Sequence, residues 1–393
     1  MPHILGLVDW PWVWLSSAAG FLLLFVYSFA VVRKYIRILV DRFDGDFPQT
    51  RHDNDSGEST LRDGHCVQFA AVDGHPVEGV ILSGNSGMPQ RGMIVFAHEV
   101  GSDRRSGPKY CRALLDAGFD VFLFDFRGHG ATKPEEGYRP LQWPTDREQA
   151  DMLGAIAFIG TYLERKGRPR EVGLFGLSRG AAAAIIASAE SEGVAGIVAD
   201  GVFSSDMTLE FLMKRFARIF VRIRFVAENH PRIVWQFIRW MAFRECERRY
   251  KCRFPSVRKA LLRLRDKPIL FIHGEKDSYI PIVQTKALYD LSAGPKYLWI
   301  VPQAKHNQNV LAAPNEYASR VVRFFREHLA GEVVCDDSWT HPNNTAQSRL
   351  EVVPQASCLH RNDGSCRLEA NSVRDLGSRR LTGVCGRVVR RVA

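Results

Sequence analysis

Apolar runs that alternate with helical segments constrain this chain more than any other feature. From residue 93 onward, runs suited to buried strands are separated by stretches with the composition of helices. Parallel strands need long crossovers, usually helices, and these crossovers are right-handed. The pattern therefore predicts an α/β fold with a mostly parallel sheet of eight strands and helices on both faces. The predicted strands are Val67–Val72, Val77–Leu82, Met93–His98, Val121–Phe126, Val172–Ser178, Val194–Asp200, Lys267–Gly274 and Tyr297–Pro302, and the predicted helices are Pro108–Ala117, Asp146–Arg165, Arg179–Glu190, Thr285–Leu291 and Asn315–Leu329.

An uncharged run near the N-terminus predicts a membrane anchor. Trp10–Val32 holds 23 residues without a charge, enough for a helix to cross a bilayer core of about 30 Å. A signal peptide is the alternative, but the preceding residues carry no Lys or Arg. Basic residues follow the run, so the positive-inside rule places the N-terminus outside and the catalytic domain in the cytoplasm. We expect a single-pass anchor with a juxtamembrane helix over residues 1–43 and a polar linker over residues 44–65.

Composition excludes several classes of protein. The chain has 393 residues, 46% of them hydrophobic, which argues against a disordered or fibrous protein. Eight cysteines occur without a C-x-x-C pair, so we expect neither a zinc site nor another metal, and we interpret them as mostly reduced thiols. Their even number leaves an oxidising compartment open. The formal net charge of +10 suggests an acidic partner, either anionic lipid or nucleic acid.

Two segments interrupt or follow the α/β pattern. Residues 207–264 form a helical insertion that mixes aromatic with basic residues and holds much of the positive charge. A lid that contacts lipid is the favoured interpretation, because such a mixture suits the membrane interface. A cap with inward aromatics and solvated arginines is the alternative, and nucleic-acid binding is the least favoured. Residues 331–393 lack periodicity and are interpreted as a disordered basic tail.

The motif GLSRG places Ser178 between a predicted buried strand and an alanine-rich helix. A nucleophile elbow needs this strand, turn and helix, with small residues where the backbone crowds the serine. The alternative is a serine that caps the helix. A serine nucleophile also requires a histidine base and a carboxylate that orients it. Asp277 and His306 follow the last two predicted strands, and the order Ser, Asp, His is the one that accompanies an elbow.

These motifs resemble those of α/β-hydrolases, in the branch of serine aminopeptidases, esterases and prolyl oligopeptidases. The resemblance covers residues 66–330 and rests on FAHEVGSD, DFRGHGAT, GLSRG, HGEKDSYIP and AKHN at successive strand ends. It implies Ser178 as nucleophile, Asp277 as acid and His306 as base, and it implies that the insertion is a cap between strands six and seven. Asp200 is an alternative acid. The histidines that resemble structural histidines of the family are His98, His129 and His273, and Gly128 and Gly130 are interpreted as loop-shaping residues.

The sequence departs from this family at Glu99. The family usually has His-Gly where this chain has His98-Glu99, and the N–H groups expected to hold the oxyanion are those of Val100 and Arg179. A carboxylate here brings negative charge toward a site that must stabilise negative charge. Because loss of one oxyanion donor costs about 2.7 to 4 kcal/mol, Glu99 is the main sequence argument for altered activity.

Together these features predict a membrane-anchored serine hydrolase that cleaves carboxylic esters through an acyl-enzyme and needs no cofactor. A lipid-derived acyl ester is the first substrate class to test, and amide or peptide cleavage is less favoured. The rival hypothesis is a catalytically weak hydrolase-fold protein that acts as a membrane interaction module, motivated by Glu99 and by the basic cap and tail.

Overall fold

A computed structural model describes residues 10–43, 61–220 and 232–333 of the protein. Most of the predicted linker and tail therefore lies outside the described residues. The strands are β1 His65–Ala70, β2 Pro76–Leu82, β3 Met93–Ala97, β4 Asp120–Phe124, β5 Val172–Leu177, β6 Val194–Asp200, β7 Ile269–Gly274 and β8 Lys296–Val301. The helices are α1 Trp10–Phe43, α2 Gly107–Asp116, α3 Asp146–Arg165, α4 Arg179–Ser188, α5 Ser205–Phe220, α6 Arg232–Tyr250, α7 Val257–Arg263, α8 Ile282–Leu291, α9 Asn309–Ala312 and α10 Pro314–His328.

The eight strands form one sheet in the order β1-β2-β4-β3-β5-β6-β7-β8. β1 and β2 form an antiparallel hairpin, β2 pairs antiparallel with β4, and the strands from β4 to β8 are parallel. The predicted α/β-hydrolase fold with a mostly parallel sheet is confirmed. The connection that follows β3 leads to β4 on one side of it, whereas the connection that follows the neighbouring strand β5 leads to β6 on the other side. The crevice at the carboxyl ends of β3 and β5 is thus the switch point at which such sheets bind ligands.

Helices cover both faces of the sheet because its central strands are apolar on both sides. Every residue of β3, β4, β5 and β7 is buried. One core cluster joins the sheet to α3, α4, α7 and α8, and a second joins the opposite face to α2 and α10. The alanines of α4 explain how that helix fits so closely, since all ten of its residues are buried.

The first helix packs against the insertion between β6 and β7. α1 is continuous over 34 residues, and within it Trp12–Ile38 is long and apolar enough to cross a membrane, with a mean hydropathy of 2.1. Most of its apolar side chains up to Phe29 are exposed, whereas Ile36 and Val40 are buried against the insertion. The aromatics of α6 divide: Trp235 is buried, while Phe237 and Trp240 are exposed. The insertion therefore has both an inward and an outward aromatic face.

Candidate active site

Ser178 sits on a strained turn between β5 and α4. Its backbone adopts φ 50° and ψ −110°, a conformation that L-residues rarely occupy outside functional turns. The turn is tight because Gly176 and Gly180 pack directly on neighbouring backbone. A Cβ on Gly176 would lie 2.4 Å from Ala181 Cα, and one on Gly180 would lie 2.3 Å from the Ala97 carbonyl oxygen. The serine side chain makes no capping hydrogen bond to the helix, which argues against the N-cap alternative.

The loops after β7 and β8 bring Asp277 and His306 to this serine. Ser178 Oγ lies 2.9 Å from His306 Nε2, and His306 Nδ1 lies 2.6 Å from Asp277 Oδ2. Asp277 Oδ1 accepts hydrogen bonds from the N–H groups of Tyr279 and Ile280, at 2.8 and 2.9 Å. The carboxylate is thereby fixed, with one oxygen left for the imidazole. The three side chains that sequence analysis singled out form one hydrogen-bonded row.

The electrostatics of Asp277 favour its charged form. Burial by itself would raise the pKa of Asp277, but the hydrogen bond from His306 and the bond from the Ile280 N–H outweigh it, so the pKa lies below its ordinary value. An ionised Asp277 can only accept, so Nδ1 of His306 must donate. Nε2 is then the unprotonated nitrogen that faces the Ser178 hydroxyl. This is the tautomer that a general base requires.

The alternative acid, Asp200, is engaged elsewhere. Its carboxylate is fully buried and accepts from the Tyr317 hydroxyl at 2.7 Å and from Asn309 Nδ2 at 2.5 Å. Burial raises the pKa of Asp200 to about 6. Its backbone carbonyl accepts from the Ser178 N–H at 2.7 Å, so β6 supports the elbow through its backbone.

Three other histidines make their hydrogen bonds outside the row, although Nε2 of His273 also lies 3.8 Å from Asp277 Oδ2. His98 contacts the Glu99 carbonyl through Nδ1 at 2.7 Å and accepts from the Phe126 N–H through Nε2 at 3.1 Å. His129 lies 3.0 Å from the guanidinium of Arg179, and burial, with that charge, lowers the pKa of His129 to about 4. His273 contacts the Ile280 carbonyl at 3.0 Å and the Thr285 hydroxyl at 2.9 Å. These contacts give the three histidines structural partners, as expected from the sequence.

The oxyanion donors predicted at Val100 and Arg179 belong to two backbone segments that pack against each other at Gly180. Because His98 binds the Glu99 carbonyl, the N–H of Val100, on the other side of the same peptide plane, points away from His98. The N–H of Arg179 belongs to the first turn of α4, where N–H groups have no partner within the helix. The close approach of Gly180 to the Ala97 and His98 carbonyls brings together the segments that carry the two N–H groups; their role as oxyanion donors stays a prediction. The guanidinium of Arg179 is turned away, toward the Leu141 carbonyl and Glu148.

Glu99 is buried beside this site without full pairing. The residue is only 8% exposed, and its Oε2 meets no hydrogen-bond partner in the described part of the chain. Burial raises the pKa of Glu99, although the charges of Lys109 and His306 oppose that rise. The carboxyl is therefore easier to protonate than an exposed glutamate. The negative charge expected here from the sequence is therefore weaker than that of an ordinary glutamate.

Two residues that contact His306, Gly201 and Tyr279, could not be recognised as site residues from the sequence. Gly201, at φ 63°, lies against His306, because a Cβ there would be 3.2 Å from the imidazole Cε1. Tyr279 places its ring 5.9 Å from the His306 ring.

Within the described residues, no group of three His, Cys, Asp or Glu side chains could hold a metal ion.

The sequence profile described as "Alpha/beta hydrolase family" matches residues 94–323, which is more than half of the chain. The chain belongs to the alpha/beta hydrolase family. The matched stretch holds β3 to β8, the elbow serine and both loops that reach it. The resemblance inferred from the motifs is thus confirmed at the level of the family.

This family member is similar to both curated proteins and solved structures. It is 25% identical to YqkD of Bacillus subtilis over 59% of this chain and 70% of that protein. It is 23% identical to YfhR of Escherichia coli K12 over 61% and 72%, respectively. A solved structure of the Pyrococcus furiosus esterase Pf2001 superposes with a TM-score of 0.53 at 20% identity, covering 72% of this chain and 97% of that one. At this identity the structural match supports the fold alone.

Proposed function

We propose that this chain is a membrane-anchored serine hydrolase that cleaves carboxylic esters. Membership of the alpha/beta hydrolase family supports a hydrolase. The observation that carries the finer assignment is the row of Ser178, His306 and Asp277, with contacts of 2.9 and 2.6 Å and a histidine tautomer suited to accept the serine proton.

The geometry suits a two-step acyl transfer. Ser178 Oγ attacks the ester carbonyl carbon while its proton moves to Nε2 of His306, and Asp277 stabilises the resulting imidazolium. The N–H groups of Val100 and Arg179 are proposed to hold the oxyanion. The C–O bond to the alcohol then breaks, and His306 returns the proton to the leaving oxygen. Water attacks the acyl-serine by the same route and releases the acid.

The anchor and the exposed apolar insertion favour an acyl ester drawn from lipid. α1 is long and apolar enough to span a bilayer, and the basic residues that follow its apolar stretch favour a cytoplasmic catalytic domain. A substrate that reaches the site from the membrane does not have to cross water. Esters are preferred over amides in this proposal because an alkoxide leaves more readily than an amine.

The unpaired carboxyl of Glu99 favours a second candidate, a catalytically weak membrane interaction module. If Glu99 is ionised at the working pH, its charge opposes the oxyanion. This candidate predicts a folded, membrane-bound chain that turns over no ester.

The experiment is pre-steady-state hydrolysis of p-nitrophenyl acyl esters of increasing chain length by the full chain in detergent. An acyl-enzyme route gives a burst of nitrophenol equal to the active protein, followed by slower turnover. Ser178→Ala is expected to abolish the burst, whereas Ser188→Ala, at the far end of the same helix, is expected to keep it. A burst that survives in Ser178→Ala contradicts the proposal, and absence of turnover in folded wild-type protein favours the second candidate.

A further inference from the structure

A cleft runs between the first helix and the insertion. It has a volume of about 200 Å³, with one wall from α1 and one from α6. Phe29, Arg33 and Ile36 line the first wall, and Trp240, Met241, Arg244, Glu245 and Arg248 line the second. The cleft is therefore apolar at one end and cationic at the other.

The two helices run side by side in the same direction. Phe29 and Trp240 are the first residues that α1 and α6 contribute to the cleft, and the Tyr250 hydroxyl donates to the Val40 carbonyl at 3.4 Å, just past the last cleft residues of both helices. The step of eleven residues from Phe29 to Val40 in α1 thus runs alongside the step of ten residues from Trp240 to Tyr250 in α6. If α1 crosses a membrane, α6 lies beside the point where α1 leaves the bilayer. The first residues of α6 are then nearest the bilayer, and the helix runs away from it.

The exposed side chains of α6 follow this direction. Ile233, Phe237 and Trp240 lie on one face and are 71%, 48% and 55% exposed, and the rings of Phe237 and Trp240 stack with centroids 6.0 Å apart. Arg244 and Arg248 continue the same face one and two turns later. At 1.5 Å per residue, Ile233 and Arg244 are separated by about 16 Å along the helix. An apolar half that leads into a cationic half suits passage from acyl chains to headgroups.

The positive charges of the cleft arginines are accessible to a ligand and only partly neutralised by neighbouring carboxylates. Arg244 and Arg248 each expose 68% of their side chains. Arg248 is paired with Glu245 at 2.8 Å, but Arg244 lies 3.8 Å from Glu247, outside hydrogen-bond distance. Three arginines against one glutamate leave the cleft with a net positive charge.

We propose that this cleft binds the headgroup of an anionic phospholipid, with Arg33, Arg244 and Arg248 around the phosphate and the acyl chains along Phe29 and Trp240. The inference rests on the proposed membrane anchoring. A free phosphate would satisfy the arginines but leave the aromatic end of the cleft exposed, so the apolar wall favours a lipid.

A second cavity gives the headgroup room. On the other side of Arg244 and Arg248, a cavity of about 520 Å³ is lined also by Lys251 and Arg253. Asp146 and Glu247 also line this cavity, so two carboxylates face four basic side chains and the lining stays net positive. A headgroup larger than a bare phosphate can therefore extend past the two shared arginines.

The test is titration of phosphatidylglycerol into the detergent-solubilised full chain, with bound lipid counted by native mass spectrometry. Each Lys or Arg near an anionic lipid contributes about 1 kcal/mol, so Arg244→Gln with Arg248→Gln is expected to weaken binding roughly 30-fold. The matched control is Arg263→Gln with Arg265→Gln. These two exposed arginines lie just before the amino end of β7 and outside the cleft, so this variant is expected to bind as wild type. Glu245→Gln is expected to tighten binding about fivefold, a gain that misfolding cannot produce.

Equal affinity in both double variants would overturn the proposal. So would inorganic phosphate that occupies the site as well as the lipid does, or phosphatidylcholine that binds as tightly. Alkaline carbonate extraction of membranes and ester hydrolysis are measured on the same variants. Protein that is extracted by carbonate refutes the anchor, and loss of hydrolysis in Ser178→Ala alone leaves the lipid result standing, so the failures can be told apart.

Discussion

Replacing Asp277 by Asn tests which carboxylate, Asp277 or Asp200, acts as the acid of the triad. In the structure, Oδ1 of Asp277 accepts from two backbone N–H groups, so the amide oxygen of an Asn takes that position. The amide nitrogen then occupies the place of Oδ2, 2.6 Å from His306 Nδ1. Two donors cannot face each other, so His306 must carry its proton on Nε2 instead. Nε2 then points an N–H at the Ser178 hydroxyl and cannot remove its proton.

The expected cost follows from this tautomer change. A wrong histidine tautomer in a serine triad lowers kcat by about 10⁴-fold, equivalent to about 5.5 kcal/mol in the barrier at 1.36 kcal/mol per factor of ten. Stability should change little, because the substitution keeps both backbone hydrogen bonds. The loss should therefore appear in activity and not in the melting temperature.

Asp200→Asn is the matched control. Its carboxylate bonds to Tyr317 and Asn309 and not to His306, so we expect activity within about tenfold of wild type and a stability loss of about 1–3 kcal/mol for the disturbed buried pairing. The assay is burst and steady-state ester hydrolysis, with thermal melting of both variants. A larger activity loss in Asp200→Asn than in Asp277→Asn would refute the assignment.

Three further predictions concern the oxyanion turn, the elbow and the anchor. Glu99→Gln should raise the melting temperature relative to wild type, increasingly so as pH rises above about 4.5: because the folded pKa of Glu99 is raised, its ionisation destabilises the fold progressively above its unfolded pKa. Melting curves across pH that show no widening gap would contradict this. Gly180→Ala should lose activity and about 1–3 kcal/mol of stability, because its Cβ would press on the Ala97 carbonyl, whereas Gly193→Ala, with its nearest neighbour atoms at 3.8 Å, should be tolerated in the same assays. The full chain should stay in the membrane pellet after carbonate extraction and resist external protease in intact cells, and cleavage of the catalytic domain from outside would reverse the proposed orientation.

The sheet and the site differ in how much the sequence reveals of them. Strands of a parallel sheet are buried on both faces and read as continuous apolar runs, which is why β3 to β8 can be located to within a few residues. The sheet then gathers the carboxyl ends of its strands at one edge. The motifs that follow β5, β7 and β8 place Ser178, Asp277 and His306 at that edge, although Asp200, at the end of β6, lies at the same edge.

Other contacts depend on packing between distant segments. Asp200 and Tyr317 are separated by 117 residues, and nothing in either motif shows that they are bonded. The alternative acid could therefore be set aside only from the structure. The mixture of aromatics and arginines in the insertion indicated a membrane interface, but the side of α6 that faces α1 depends on how Ile36 and Val40 pack against it.

Covalent labelling by a fluorophosphonate reports whether Ser178 is an activated nucleophile, because the probe phosphonylates only a serine whose proton a neighbouring histidine removes. We expect a single adduct on the full chain, mapped by peptide mass spectrometry to Ser178. It should form orders of magnitude more slowly in His306→Ala and be absent in Ser178→Ala. A folded chain that takes up no probe, or that takes it up at another serine, would show that Ser178 is not the nucleophile.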